Sequence, residues 1–76
     1  MAMAYLFINT LNGFKDAVLS SLKDLPEVSW ATTVHGNYDI VACLECENME
    51  VVKNAISKKI RRFSGVGRTT TTIVAE

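Results

Sequence analysis

The sequence carries no excess charge of either sign: eight Lys and Arg residues cancel eight Asp and Glu residues over 76 positions. Proteins that bind nucleic acid on their own carry a basic excess, so that class loses ground first. No uninterrupted apolar run reaches the roughly 18 residues a membrane-spanning helix needs. Nor does the N-terminus show the charged, apolar and small-residue regions of an export signal. Met1 to Ile8 is apolar, but aromatics alternate through it and it runs into Asn9-Thr10, which suits a strand. Two cysteines without an export pattern point to the reducing cytoplasm. Linkers, charge blocks and compositional boundaries are also missing, so residues 1–76 read as one unit. A core this small leaves little stability margin, and a disulfide, a metal or an oligomeric partner is expected to supplement it.

What is present is a regular alternation of patterns. Residues 4–11, rich in aromatic and β-branched side chains, predict a first strand, and Asn12-Gly13 breaks it. From Phe14 the period becomes helical: Phe14, Ala17, Val18, Leu22 and Leu25 form one face, and Pro26 ends the helix. Residues 27–34 predict a second strand, with Val28, Trp30, Thr32 and Val34 on one side and Ser29, Ala31 and Thr33 on the other. After the polar turn His35-Gly36-Asn37, residues 38–46 predict a third strand. Asn48 is a suitable N-cap for a second helix carrying Met49, Val52, Ile56, Ile60 and Phe63 as its apolar stripe. Gly65 is the expected stop, and residues 66–75, with four consecutive threonines, predict the last strand.

The order β-α-β-β-α-β predicts an α+β, ferredoxin-like fold: a four-stranded antiparallel sheet with two helices on one face. That leaves the second sheet face uncovered. A water-facing surface would alternate cleanly between apolar and polar, yet the first strand has Leu6 and Ile8 on one side and Tyr5 and Phe7 on the other. Packing of two sheets face to face, in a dimer, removes so large an apolar patch from water.

Local chemistry offers few candidates. Cys43 and Cys46 match C-x-x-C, but three positions along a strand point the two sulfurs to opposite faces, and no second cysteine pair completes a zinc site. His35 is the only histidine, so any His-based catalysis must use it, with Asp39 or Glu45 as carboxylate. Metal binding by His35 and Asp39 across an interface is a second use of the same pair. Gly65-Val66-Gly67 lacks the further glycine and lysine of a phosphate-binding loop. Lys58, Lys59, Arg61, Arg62 and Arg68 could meet a phosphate or an acidic partner but read better as a solvated basic helix end, and no helix-turn-helix is present. An amino acid needs a carboxylate for its ammonium, and hydroxyls or free backbone N–H groups for its carboxylate. Asp39 can supply the first, while the Gly36-Asn37 backbone with Thr70 or Thr72 can supply the second. On local chemistry alone, a plain hairpin turn beside a β-branched strand accounts for the same residues better.

Four segments then occur in register: Ala-Tyr-Leu-Phe-Ile-Asn-Thr, Leu-Pro-Glu-Val, Val-His-Gly-Asn-Tyr-Asp-Ile-Val-Ala, and Ile-Arg-Arg-Phe-Ser-Gly-Val-Gly-Arg-Thr-Thr-Thr-Thr-Ile-Val. Together they resemble the effector-binding (RAM) domain of the Lrp/AsnC family, over nearly the whole chain. The resemblance implies a fold of the dimeric α+β barrel type, sheet-to-sheet dimers, and rings of dimers, often octamers. It also implies small effectors, usually amino acids, bound between dimers near the β2–β3 turn. The family's turn glycine and aspartate fall on Gly36 and Asp39, and its threonine-rich strand on Thr69 to Thr72. The expectation is a stand-alone, non-enzymatic effector sensor without direct DNA contact, cofactor or resident metal. It would modulate transcription through ligand-dependent assembly or through full-length Lrp/AsnC regulators. Its ligand-binding residues would be His35, Gly36, Asn37, Tyr38, Asp39, Thr70 and Thr72. Two other readings stay open: a metal-binding or purely structural assembly protein using His35 and Asp39, and a small cofactor-free enzyme of the dimeric α+β barrel type.

Overall fold

A computed structural model describes residues 1–75. The elements follow as β1 (Ala2–Thr10), α1 (Lys15–Lys23), β2 (Val28–Thr33), β3 (Ile40–Cys46), α2 (Met49–Asn54) and β4 (Val66–Ile73). The strands make one sheet in the order β2-β3-β1-β4, with all three pairings antiparallel. This is the ferredoxin-like arrangement. Ala4, Leu6 and Ile8 of β1 and Ile40, Ala42 and Leu44 of β3 are buried with Val18 and Leu22 of α1 and Val52 of α2. These residues stand at every second position of the central strands and at helical spacing on the helices, which is how one face of each element meets the same core.

The helix ends follow local chemistry. Asn48 caps α2 by accepting the Val51 N–H at 3.0 Å. Beyond Asn54 the helix widens into a π-turn, Ala55–Lys59, and tightens into a 3-10 turn, Ile60–Arg62. The extra residue in the π-turn lets Ala55, Ile56 and Ile60 all reach the core. Gly65 then turns the chain with φ +91°, and a Cβ there would overlap the Cβ and Cγ of Phe14. Its carbonyl accepts the Leu11 N–H at 2.7 Å, tying the end of the second helix to the β1–α1 turn.

β2 departs from the simple period-two expectation. Val28 pairs with Leu44, but Trp30 pairs with Cys43, so Ser29 and Trp30 share a bulge. The extra residue reverses the faces: Val28 and Ala31 are buried together, and Trp30 stands on the opposite, uncovered side at 44% exposure. The expected grouping of Val28 with Trp30 on one face is thereby corrected. Strand bulges leave no mark in an alternating pattern that contains so many β-branched residues.

The uncovered face carries Met3, Tyr5, Phe7, Val41 and Trp30, half-buried or exposed. Cys43 is buried there, at 1% exposure. It pairs with Tyr5 on one side and Trp30 on the other, whose ring centroids are 6.1 Å apart. Cys46 belongs to the opposite, helix-covered core. The two thiols are free, and burial pushes both above their ordinary range. A C-x-x-C redox or zinc pair needs convergent sulfurs, and a strand cannot provide them.

The basic residues do not act as a block. Lys59 donates to Glu27 Oε2 at 2.6 Å and Arg61 Nε donates to Thr69 Oγ1 at 3.3 Å. The Lys59 hydrogen bond holds the Glu27 carboxyl below its ordinary value of 4.5, against the opposing effect of burial. A lowered folded-state value means the pair stabilises the fold fully above pH 4.5 and loses that contribution as pH falls through the lowered value. Lys59→Met should therefore lower the melting temperature at pH 7 and flatten its decline on acidification. Parallel pH profiles for parent and variant would show that the pair is energetically silent. Among the described residues, no helix is long and apolar enough to cross a membrane.

Candidate functional site

The hairpin between β2 and β3 closes with Val34 N–H donating to the Asp39 carbonyl at 2.9 Å, and Asp39 N–H donating to the Ile8 carbonyl at 2.9 Å. Residues 35–39 thus project from the end of the sheet nearest Asn9 and Thr10. His35, Gly36 and Asn37 are exposed at the tip, with Gly36 at φ +130°. Among the described residues no hydrogen bond or ion pair joins His35 to Asp39, and no group of three or more His, Cys, Asp or Glu side chains is placed to hold a metal ion.

The Tyr38 ring packs on Phe7, with centroids 5.6 Å apart. Its hydroxyl meets Thr70 Oγ1 at 2.7 Å. Phe7 of β1 pairs with Thr70 of β4, so the hydroxyl contact reaches across β1 on the uncovered face. Arg68, two residues before Thr70 and therefore on the same face, places its guanidinium 5.9 Å from the Tyr38 ring centroid. The Asn9 amide completes the group: its nitrogen donates to the Asn37 carbonyl at 2.8 Å and its oxygen accepts from Arg68 at 3.3 Å. The orientation of that amide follows from its partners, since the reverse would face donor to donor. Gly67 lets β4 pass close to the backbone of β1 here, because a Cβ there would lie 2.9 Å from the Asn9 backbone carbonyl oxygen.

Asp39 takes another direction. Its Oδ2 accepts from Thr10 N–H at 2.8 Å and from the Thr10 hydroxyl at 3.2 Å. The β1–β4 register shifts between Ile8 and Thr10, and the carboxylate satisfies the Thr10 N–H at that irregularity. Asp39 also borders a depression of about 350 Å³ with Thr10, Leu11, Asn12, Gly13, Lys15 and Asp16. Both hydrogen bonds fall on Oδ2, which leaves Oδ1 as the acceptor available to a ligand.

The residues singled out in the sequence are therefore sorted by the fold. Asn37, Tyr38 and Thr70 are brought into one polar cluster at the rim of the apolar sheet face. Asp39 adjoins them through the backbone while its side chain braces β1. Thr72 lies further along β4, opposite Tyr5, and His35 and Gly36 stay at the exposed tip. Phe7, Asn9, Thr10 and Arg68 are parts of the arrangement that residue chemistry alone did not select. Arg68 had a legible signal, since it shares the period-two face of Thr70. The role of Asn9 depends on a bulge and on Gly67, and had none.

No curated protein sequence matches the chain. Among solved structures, FFRP-DM1 shares 29% identity with a TM-score of 0.94, covering 99% of this chain and 100% of that one. TTHA0845 from Thermus thermophilus shares 26% identity with a TM-score of 0.95, covering 100% and 95%. The transcriptional regulator NMB0573 from Neisseria meningitidis, solved in complex with L-Met, shares 14% identity with a TM-score of 0.89. That match covers 99% of this chain and 50% of the regulator, and at this identity it speaks to the fold alone. The model of the Lrp/AsnC ligand binding domain matches residues 3–76. With that match running over nearly its whole length, and with the sheet topology the domain requires, the chain belongs to the Lrp/AsnC family.

Proposed function

We propose that this protein is an amino-acid effector-sensing module of transcriptional regulation, acting in the cytoplasm by ligand-dependent assembly and not by catalysis. The observation that carries the reading is the cluster of Tyr38, Thr70, Asn37, Asn9 and Arg68 at the rim of an uncovered aromatic sheet face. Paired hydroxyls, a guanidinium and the neighbouring Asp39 carboxylate offer both signs of charge needed by a zwitterion. Membership in a family of ligand-binding domains supports it, as does the fold shared with a regulator solved with L-Met.

The uncovered face supports self-association. Phe7, Tyr5, Trp30 and Val41 form an apolar surface that a second sheet can bury, and a dimer made this way sets the rim clusters of the two copies around its edges. The hairpin tips then become the surface on which one dimer meets another, and a ligand seated there favours the assembly state that binds it better. Each protomer would hold half of the site. Full-length Lrp/AsnC regulators, with the same domain, are the natural partners for mixed assembly.

A melting-temperature screen against the twenty amino acids and common divalent metals tests the reading. A ligand present at about 100 times its Kd adds about 2.7 kcal/mol, which for a domain of this size raises the melting temperature by roughly 10 °C or more. A shift with one or a few amino acids, together with a change in mass by light scattering, is the expected result. Shifts with a divalent metal and with no amino acid would replace this reading by metal-dependent assembly.

A further inference from the structure

Arg68 has two partners, a ring and an amide, and among the described residues no carboxylate matches its charge. One side of its guanidinium is occupied by the Tyr38 ring at 5.9 Å, and one N–H donates to the Asn9 amide at 3.3 Å. Among the described residues no carboxylate lies within ion-pairing distance of it. Two cations of the second helix are used elsewhere, Lys59 on Glu27 and Arg61 on Thr69, whereas Arg68 faces the rim cluster. A guanidinium has five N–H donors in a planar fork, and most of them remain to be filled.

The hydroxyls beside it point the same way. Tyr38 and Thr70 share a single hydrogen bond of 2.7 Å, which uses one of their two protons whichever is the donor. The other proton is free to donate outward. A fixed arginine fork next to a spare hydroxyl donor is complementary to a planar anion with two acceptor oxygens. Much of the entropy lost on ordering a long side chain has already been lost to the ring and the amide, which favours binding.

We propose that Arg68 is the specificity-determining residue of the effector site, binding the ligand's free carboxylate with help from the Tyr38–Thr70 hydroxyl pair. The proposal rests on the effector reading above and narrows it to small molecules with an unblocked carboxylate. Asp39, whose side chain turns to Thr10 and the depression beside it, lies outside the Arg68 cluster and takes no part in this contact.

Isothermal calorimetry on the full chain tests this with each of the twenty amino acids and its carboxamide. The parent protein is expected to bind its preferred amino acid roughly 10- to 100-fold more tightly than the amide. In Arg68→Gln that preference should collapse to within about threefold, through weaker binding of the acid and little change for the amide. Arg68→Lys, which keeps the charge without the fork, should fall between. Unchanged preference in Arg68→Gln, or an equal loss for acid and amide, overturns the proposal and leaves Arg68 as packing for Tyr38. Inorganic phosphate competing as well as the amino acid overturns it too. If Arg68→Gln fails to fold by circular dichroism, the acid-to-amide ratio in Arg68→Lys decides the matter by the same criterion. A parent that binds none of the twenty amino acids brings down the effector reading itself, an outcome distinct from a site that binds them without using Arg68.

Discussion

Val41→Lys is expected to yield monomers by light scattering at micromolar concentrations where the proposed assembly predicts a dimer or larger for the parent. Val41 lies between Phe7 of β1 and Thr32 of β2, in the middle of the uncovered face, and is half-buried. An ammonium introduced there would be desolvated against an apolar sheet with no partner, at a cost of several kcal/mol per protomer. Two protomers would bring two such charges together, weakening a symmetric interface by several orders of magnitude. The substitution leaves the helix-covered core untouched, because Ile40 and Ala42, its neighbours in sequence, point the other way. The variant should keep its far-UV spectrum while melting at lower temperature, since a chain this small gains stability from association. A dimeric mass for Val41→Lys would show that the copies meet elsewhere.

The second large effect concerns Asp39, whose two substitutions should separate. Asp39→Asn retains an oxygen for Thr10 N–H but removes the charge. It should fold with a loss of no more than about 1 kcal/mol while amino-acid affinity falls at least roughly 30-fold. Asp39→Ala loses the charge and the acceptor, leaving the Thr10 N–H and hydroxyl without their partner at the irregular end of β1. A destabilisation of about 1–3 kcal/mol is expected in addition to the lost affinity. From the sequence, Asp39→Ala would be expected to spare the fold. The Thr10 bonds argue for a stability loss as well, because the carboxylate also stands in for a missing backbone partner. Full amino-acid affinity in Asp39→Asn would remove Asp39 from the binding site and leave it a structural role only.

Much of the architecture was legible because it rests on periodicity. Leu6 and Ile8, or Ile40 and Ala42, declare strands buried on one face, while Val18 and Leu22 declare a helix. Asn48 announces its cap and Gly65 its turn. Boundaries moved by a residue or two: β1 starts at Ala2 and ends at Thr10, and β4 ends at Ile73, although Val74 N–H still donates to the Met3 carbonyl at 3.0 Å. The expected third strand from Tyr38 begins at Ile40, because Tyr38 and Asp39 serve the hairpin. The second helix read as one regular stripe, yet it contains a π-turn that sequence spacing does not reveal.

The candidate site was legible only in part, for a physical reason. Residue chemistry says what a side chain can bind but not what already occupies it. Asp39 looks like a free carboxylate until Thr10 is seen to donate to it twice, and Arg68 looks like one of five solvated cations until Tyr38 and Asn9 are found around it. The sequence by itself determined the order of strands and helices, which faces are apolar, and the divergence of Cys43 and Cys46, because each follows from the repeat of the local backbone. Only the tertiary structure decided that Trp30 faces away from Val28, that Tyr38 reaches Thr70 across β1, and that Arg68 stands beside them with no carboxylate partner among the described residues. Those outcomes depend on two bulges and on contacts between residues about 30 positions apart, and no local pattern encodes either.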